Sequence, residues 1–133
     1  MTETAGHPLM FDPADQALAE VRAIALALPE AAEKVSHGRP AFYTTKVFCY
    51  FGGSQKIDGE WMQHEHAVMI RPDPDDERAL RADDRFWVPG YLGVAGWLGI
   101  DLDRTDLAEV AELIDASYRV TATARLVRTL DER

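Results

Sequence analysis

The sequence predicts a two-layer α+β domain, an antiparallel sheet with helices on one face. Three observations lead there. Helix-like and strand-like segments follow one another in the order α-β-β-β-α-β-α. The gaps between strands are hairpin-sized, without the long crossovers that parallel pairing requires. A chain of 133 residues, 47% of them hydrophobic, fits one globular domain with a core large enough to fold alone and has no room for a second domain.

Residues 1–11 are expected to form a flexible N-terminal arm, ahead of a single domain spanning 12–133. Asp12-Pro13 predicts a helix start, with Asp12 as N-cap and Pro13 in the first helical position. Leu18, Val21, Ile24, Ala25 and Leu28 form an apolar stripe, and Pro29 stops the helix. Short β-forming runs follow: Lys34-Val35-Ser36-His37, Ala41-Phe42-Tyr43 and Val47-Phe48-Cys49-Tyr50-Phe51. Residues 52–60 are glycine-rich and polar and read as a connection; the next strand runs over 61–71, up to Pro72-Asp73-Pro74. Asp73 is expected to cap a short second helix that turns only Ala79, Leu80 and Ala82 inward.

Residues 86–102 hold two of the three tryptophans, Trp87 and Trp97, and glycines at 90, 93, 96 and 99. A spacing of three fits neither strand nor helix, so it marks turns and close packing around the tryptophans. Trp97-Leu98-Gly99-Ile100-Asp101-Leu102 reads as a strand leading into a helix start. Asp106 and Glu109 then resemble a capping box, with Leu107, Val110, Ala111, Ile114 and Tyr118 on one helical face. A short terminal helix is expected around Leu126, Val127 and Leu130.

No apolar run approaches the roughly 18–20 residues that span a bilayer. Residues 1–7 lack the basic and apolar regions of a secretory leader, so a cytoplasmic protein without a membrane partner is expected. The single cysteine, Cys49, lies among Val47, Phe48, Tyr50 and Phe51 and reads as a buried strand residue. The net charge of −9 is unevenly spread: residues 36–71 carry 4 bases against 3 acids, while 72–103 carry 3 bases against 8 acids. An acidic protein is repelled by nucleic acid at long range, although a segregated basic face can still bind an anion. The best candidate for such a face gathers Arg39, Lys46, Arg119, Arg125 and Arg128, if the C-terminal segment folds beside the early hairpin.

No catalytic constellation is present. Ser36-His37-Gly38-Arg39-Pro40 combines an imidazole, a fixed cation and a turn, but no serine, cysteine or carboxylate is placed by sequence to complete a nucleophilic set with His37. There is no G-x-S-x-G, no P-loop and no G-x-G-x-x-G. His64-x-His66 would put two imidazoles on one side of a strand, yet metal sites need three or four convergent ligands, so a solvated strand edge is the simpler reading and no metal or cofactor is expected. Arg78, Arg81 and Arg85 share a helix face flanked by five acids and read as local ion pairs.

Three segments together resemble the MmcQ/YjbR family of small bacterial proteins. They are Ser36-His37-Gly38-Arg39-Pro40-Ala41-Phe42 followed by Lys46-Val47-Phe48; Gly90-Tyr91-Leu92-Gly93 through Gly96-Trp97-Leu98-Gly99-Ile100; and Asp115-Ala116-Ser117-Tyr118. The resemblance spans about residues 14–130 and implies a compact YjbR-like α+β domain. It also implies a proposed DNA-binding role through a double-wing motif, with no established enzymatic activity. Arg39 and Lys46 match exposed basic positions near the first hairpin, while Gly96, Trp97 and Tyr118 match architectural ones. Two departures stand out, a longer segment over 54–63 and the acidity of 72–84.

Two functions are therefore expected. In the first, a non-enzymatic domain contacts DNA through Arg39, Lys46, Arg119 and Arg125 on the sheet side. In the alternative, a small molecule or a protein binds a pocket between the stretch 90–99 and His37, with Tyr91 and Trp97 among its walls. Either protein would be a monomer or a weak dimer.

Overall fold

The computed structural model describes residues 9–133, and residues 1–8 of the expected N-terminal arm lie outside the described residues. Among the described residues, α-helices and strands follow in the order α1 (Gln16–Leu26), β1 (Ala32–Ser36), β2 (Arg39–Tyr43), β3 (Val47–Ile57), β4 (Glu60–Ile70), α2 (Glu77–Ala82), β5 (Phe86–Trp87), β6 (Leu98–Asp101), α3 (Leu107–Thr121) and α4 (Ala124–Asp131), with short 3-10 turns at Leu92–Ala95 and Leu102–Arg104. The strands form one six-stranded antiparallel sheet in the order β1-β2-β3-β4-β6-β5. This is the α+β class that the sequence predicts. Among the described residues, no helix is long and apolar enough to cross a membrane.

Strand alternation divides the sheet into two faces. Phe51, Val68 and Ile100 stand opposite one another across β3, β4 and β6 and point to the helices. There they join Leu18, Val21 and Ala25 of α1 and Val110, Leu113, Ile114 and Tyr118 of α3 in the main core. Ser117 ties α3 to the sheet: its hydroxyl donates to the Phe48 carbonyl (2.6 Å) and accepts from the Arg71 N–H (2.9 Å). The Tyr118 hydroxyl donates to the Pro29 carbonyl (2.8 Å), fixing the chain just after α1. Cys49 is buried in this core, and burial pushes its thiol pKa up, as befits an inert structural cysteine.

The opposite face carries a second, smaller core of Ala67, Met69, Trp87 and Trp97. Gly99 is the cross-strand partner of both Met69 and Trp87, and its missing side chain is what makes room for the Trp87 ring. That ring also stacks on His64, at 3.9 Å between centroids and 14° between planes. The close-packing role expected for the glycines at 86–102 is thus concrete at Gly99.

Several boundaries differ from expectation. Helix α1 starts later, capped by Asp15, whose side chain accepts from the Ala17 N–H. Asp12 instead closes the preceding turn, its carboxylate taking the Ala14 N–H and its carbonyl the Asp15 N–H. The helix also ends at Leu26, short of Leu28, although Leu28 still packs on the core. Helix α2 begins at Glu77 with Asp76 before it, because Asp73 is spent on a turn, accepting the Asp75 and Asp76 N–H groups. Of its apolar residues only Leu80 reaches the core; Ala79 and Ala82 are exposed. In α3, Leu107 is exposed and Leu113 takes its place inward. Asp106 caps α3 as expected by accepting from the Glu109 N–H, but the Glu109 carboxylate turns to Arg85 instead of closing the box.

The largest correction concerns residues 52–60. They are not a loop: β3 runs through Gly52 and Gly53 to Ile57, and only Asp58 and Gly59 make the turn into β4. Both have positive φ (51° and 82°), the backbone of the tight hairpin turns whose twist matches paired strands. A bulge also separates the two histidines, since β3 advances from Phe51 to Gly53 while β4 runs back from Val68 to His64. His64 therefore lies against Trp87, and His66 lies against Phe51 and Asp15 on the helix side. The expected shared side for this pair does not occur. Among the described residues, no group of three His, Cys, Asp or Glu side chains converges as for a metal.

Candidate ligand cavity

A cavity of about 630 Å³ opens on the face of the sheet away from the helices. Its floor is Tyr50, Met69, Gly53 and Ser54 of β3 and β4. Ser36, His37 and Arg39 of the first hairpin form one wall, and Gly90, Tyr91 and Leu92 form another, with Trp61 and Met10 completing the lining. That volume lies within the range of pockets that take small ligands.

Each wall is held by identifiable interactions. His37 and Gly38 form the turn between β1 and β2 with φ of 54° and 83°, and the His37 Nδ1 lies 3.2 Å from the Ser36 hydroxyl. The Met10 N–H donates to the Gly38 carbonyl (2.8 Å), so this part of the expected N-terminal arm is hydrogen-bonded to the hairpin. On the other side, the Gly90 N–H donates to the Ser54 carbonyl (3.0 Å). Tyr91 then occupies a γ-turn of the rare positive-φ kind, with φ 63°, ψ −58° and a bond from the Leu92 N–H to the Gly90 carbonyl (2.7 Å). Such a backbone is strained by on the order of 1–3 kcal/mol for a non-glycine residue. The turn presents Tyr91 at 84% exposure, its ring 5.4 Å from that of Trp61.

Arg39 is the only charged side chain among the described residues that is buried, at 5% exposure. It lies flat across Gly52, where any side chain would collide with the guanidinium. Two of its donors are used: Nη1–H on the Met10 carbonyl (3.3 Å) and Nη2–H on Gln63 Oε1 (2.6 Å). Gln63 Oε1 also accepts from the Ser54 hydroxyl (3.0 Å), so Gln63 sets the orientation of the cation. Burial lowers the guanidinium pKa from its usual value, against the opposing charge of Glu65, but an arginine stays protonated.

The expected residues divide clearly. His37, Tyr91 and Arg39 line one cavity. Trp97 does not line it; it packs beside the floor in the smaller core, edge-on to Tyr50 at 5.6 Å between centroids. Lys46 is exposed in the turn between β2 and β3. Arg119 is held by Asp115 (2.6 Å) and Asp131 (2.7 Å), and Arg125 by Glu30 (3.1 Å). Arg39 lines the cavity on one face of the sheet, whereas Arg119 and Arg125 belong to α3 and α4 on the other, so the four expected cations do not gather into one face. Arg81 and Arg85 make local ion pairs as expected, with Glu77 and Asp83, and Arg85 adds an unexpected long-range pair with Glu109 of α3. The arginine bonds hold the Asp83 carboxyl down at about 2. Trp61, Gln63 and Met69 escaped the sequence reading. The signal that could have found Trp61 and Gln63 is the aromatic and amide content at the start of the strand expected over 61–71.

Comparison with known proteins agrees with this architecture. A crystal structure of the Deinococcus radiodurans protein DR2400, which carries the DUF419 domain, superposes with a TM-score of 0.58. Identity is 18%, over 86% of this chain and 87% of that one. No curated protein matches the sequence significantly. The YjbR family profile matches residues 26–120, from the end of α1 to the end of α3, and so covers the sheet, the smaller core, most of the main core and nearly all of the cavity lining. The chain belongs to the YjbR family.

Proposed function

We propose that the protein is a non-enzymatic binding domain for a small ligand, taken up in the cavity between the first hairpin and the Tyr91 turn. The observation that carries this reading is the cavity itself: about 630 Å³, walled by Tyr50, Trp61, Tyr91, Met69 and Leu92, with a buried cation in its lining. The wall that carries Tyr91 is tied to the floor by the Gly90 N–H to Ser54 carbonyl bond.

DNA binding, the role implied by the family resemblance, has less support. Of the four cations expected to carry it, Arg39 is buried and Arg119 and Arg125 are taken up by carboxylates. Of those four, Lys46 is the one that is exposed and has no carboxylate in salt-bridge range among the described residues. The projecting tip of the β3–β4 hairpin, the natural wing, carries Lys56, Asp58 and Glu60 and so bears no excess of positive charge.

A thermal-shift screen of aromatic and heteroaromatic fragments tests the proposal. Wild-type protein should give hits that raise the melting temperature, and Trp61→Ala should abolish them, since Trp61 is 42% exposed and its removal spares both cores. A flat screen combined with a low-salt mobility shift of duplex DNA at tens of micromolar protein would contradict the proposal and restore the nucleic-acid reading.

A further inference from the structure

The chemistry of the cavity also specifies its ligand. Arg39 is buried and permanently charged, yet no carboxylate of the described residues lies within salt-bridge range; its two bonds go to a carbonyl and an amide oxygen. A guanidinium in that position has donors left over, and the fork they form matches a carboxylate in two parallel hydrogen bonds. It is also the sole arginine or lysine in the lining, while Glu65 acts on it from nearby. One cation beside an acid suits a single negative charge better than the double charge of a phosphate. Beside the polar Ser36, His37 and Ser54, the lining is mostly apolar, with Trp61, Tyr91 and Met69 among the aromatic and thioether surface that favours a flat apolar body.

Resting on the cavity being a ligand site, we propose that its ligand is a small aromatic monocarboxylate. The carboxylate is paired with Arg39, and the ring lies against Trp61 and Tyr91. Gln63 is a positioning residue: by accepting from both Arg39 and Ser54 it holds the guanidinium toward the sheet face.

Calorimetric titration of wild-type protein with indole-3-acetate, 4-hydroxyphenylacetate and benzoate, each beside its neutral amide and beside phenyl phosphate, tests this. At least one acid should bind ten-fold or more tightly than its amide and more tightly than phenyl phosphate. Added salt should weaken the acid and leave the amide unchanged. In Arg39→Gln, which keeps hydrogen-bond donors but removes the charge, acid and amide should bind alike. Should that variant fail to fold, the acid-to-amide ratio and its salt dependence in wild type decide alone. Equal binding of acids and amides, or preference for phenyl phosphate, overturns the monocarboxylate assignment while the cavity remains a ligand site. No binding of any probe at millimolar concentration overturns the assignment together with the reading it rests on.

Discussion

Replacing Gly99 by valine is expected to lower the urea midpoint sharply, at a cost of about 3 kcal/mol, the upper part of the range for overpacking a well-filled interior. Gly99 stands between Met69 and Trp87 across three strands, and the Trp87 indole lies directly over it. The ring has nowhere to retreat, because it stacks on His64 and its far edge already approaches Gly53. The gain in strand propensity from valine is a fraction of that cost. The partner change Trp87→Leu should recover part of the loss in the double variant, since the two positions share one contact and their effects should not add. Additive effects in denaturant melts would show that the ring is not what Gly99 accommodates.

The second large effect is expected at Tyr118. Truncation to alanine should cost about 4 kcal/mol, as for other large aromatic side chains removed from a core. The ring is fully buried, meets Phe48 edge-on at 5.3 Å, and its hydroxyl is the bond from α3 to the segment after α1. Tyr118→Phe separates the two contributions. It keeps the ring and leaves the Pro29 carbonyl without its partner, so it should cost about 1–2 kcal/mol. If phenylalanine were as damaging as alanine, the hydroxyl rather than the packing would be holding α3 in place.

What could be read from the sequence follows from the range of the physics involved. Helix α3 was legible because its caps and its apolar face are local, and Asp106 caps it as the residue order suggests. The glycine spacing over 86–102 correctly marked close packing, but not which ring each glycine would meet, since Trp87 reaches Gly53 from another strand. The β3–β4 hairpin was hidden for an opposite reason. Gly52, Gly53 and the polar run after them carry turn-like composition, yet cross-strand pairing with β4 overrides that local preference. The bulge between Phe51 and Gly53 then sends His64 and His66 to different faces, which strict alternation cannot anticipate.

The candidate site was legible in part. His37, Arg39 and Tyr91 were each singled out, on the grounds of a titratable turn, a fixed cation and a glycine-rich stretch, and the fold places all three on one cavity. Their convergence depends on two long-range hydrogen bonds, Met10 to Gly38 and Gly90 to Ser54, that no local pattern encodes. The burial of Arg39 depends on Gly52, one strand away. Composition likewise gave the number of arginines near the C-terminus, but not that Asp131 and Glu30 would fold back to pair with two of them.

Chemical-shift mapping tests the central claim most directly. The wild-type protein would be titrated first with indole-3-acetate and then, separately, with a duplex DNA oligomer at low salt. The cavity reading predicts that the acid shifts the backbone amides of Gly53, Ser54, Tyr91 and Leu92 and the side-chain N–H of Arg39, while DNA leaves the spectrum unchanged. Perturbations from DNA centred on Lys46, Arg119 and Arg125, with no response of the cavity residues to the acid, would contradict it.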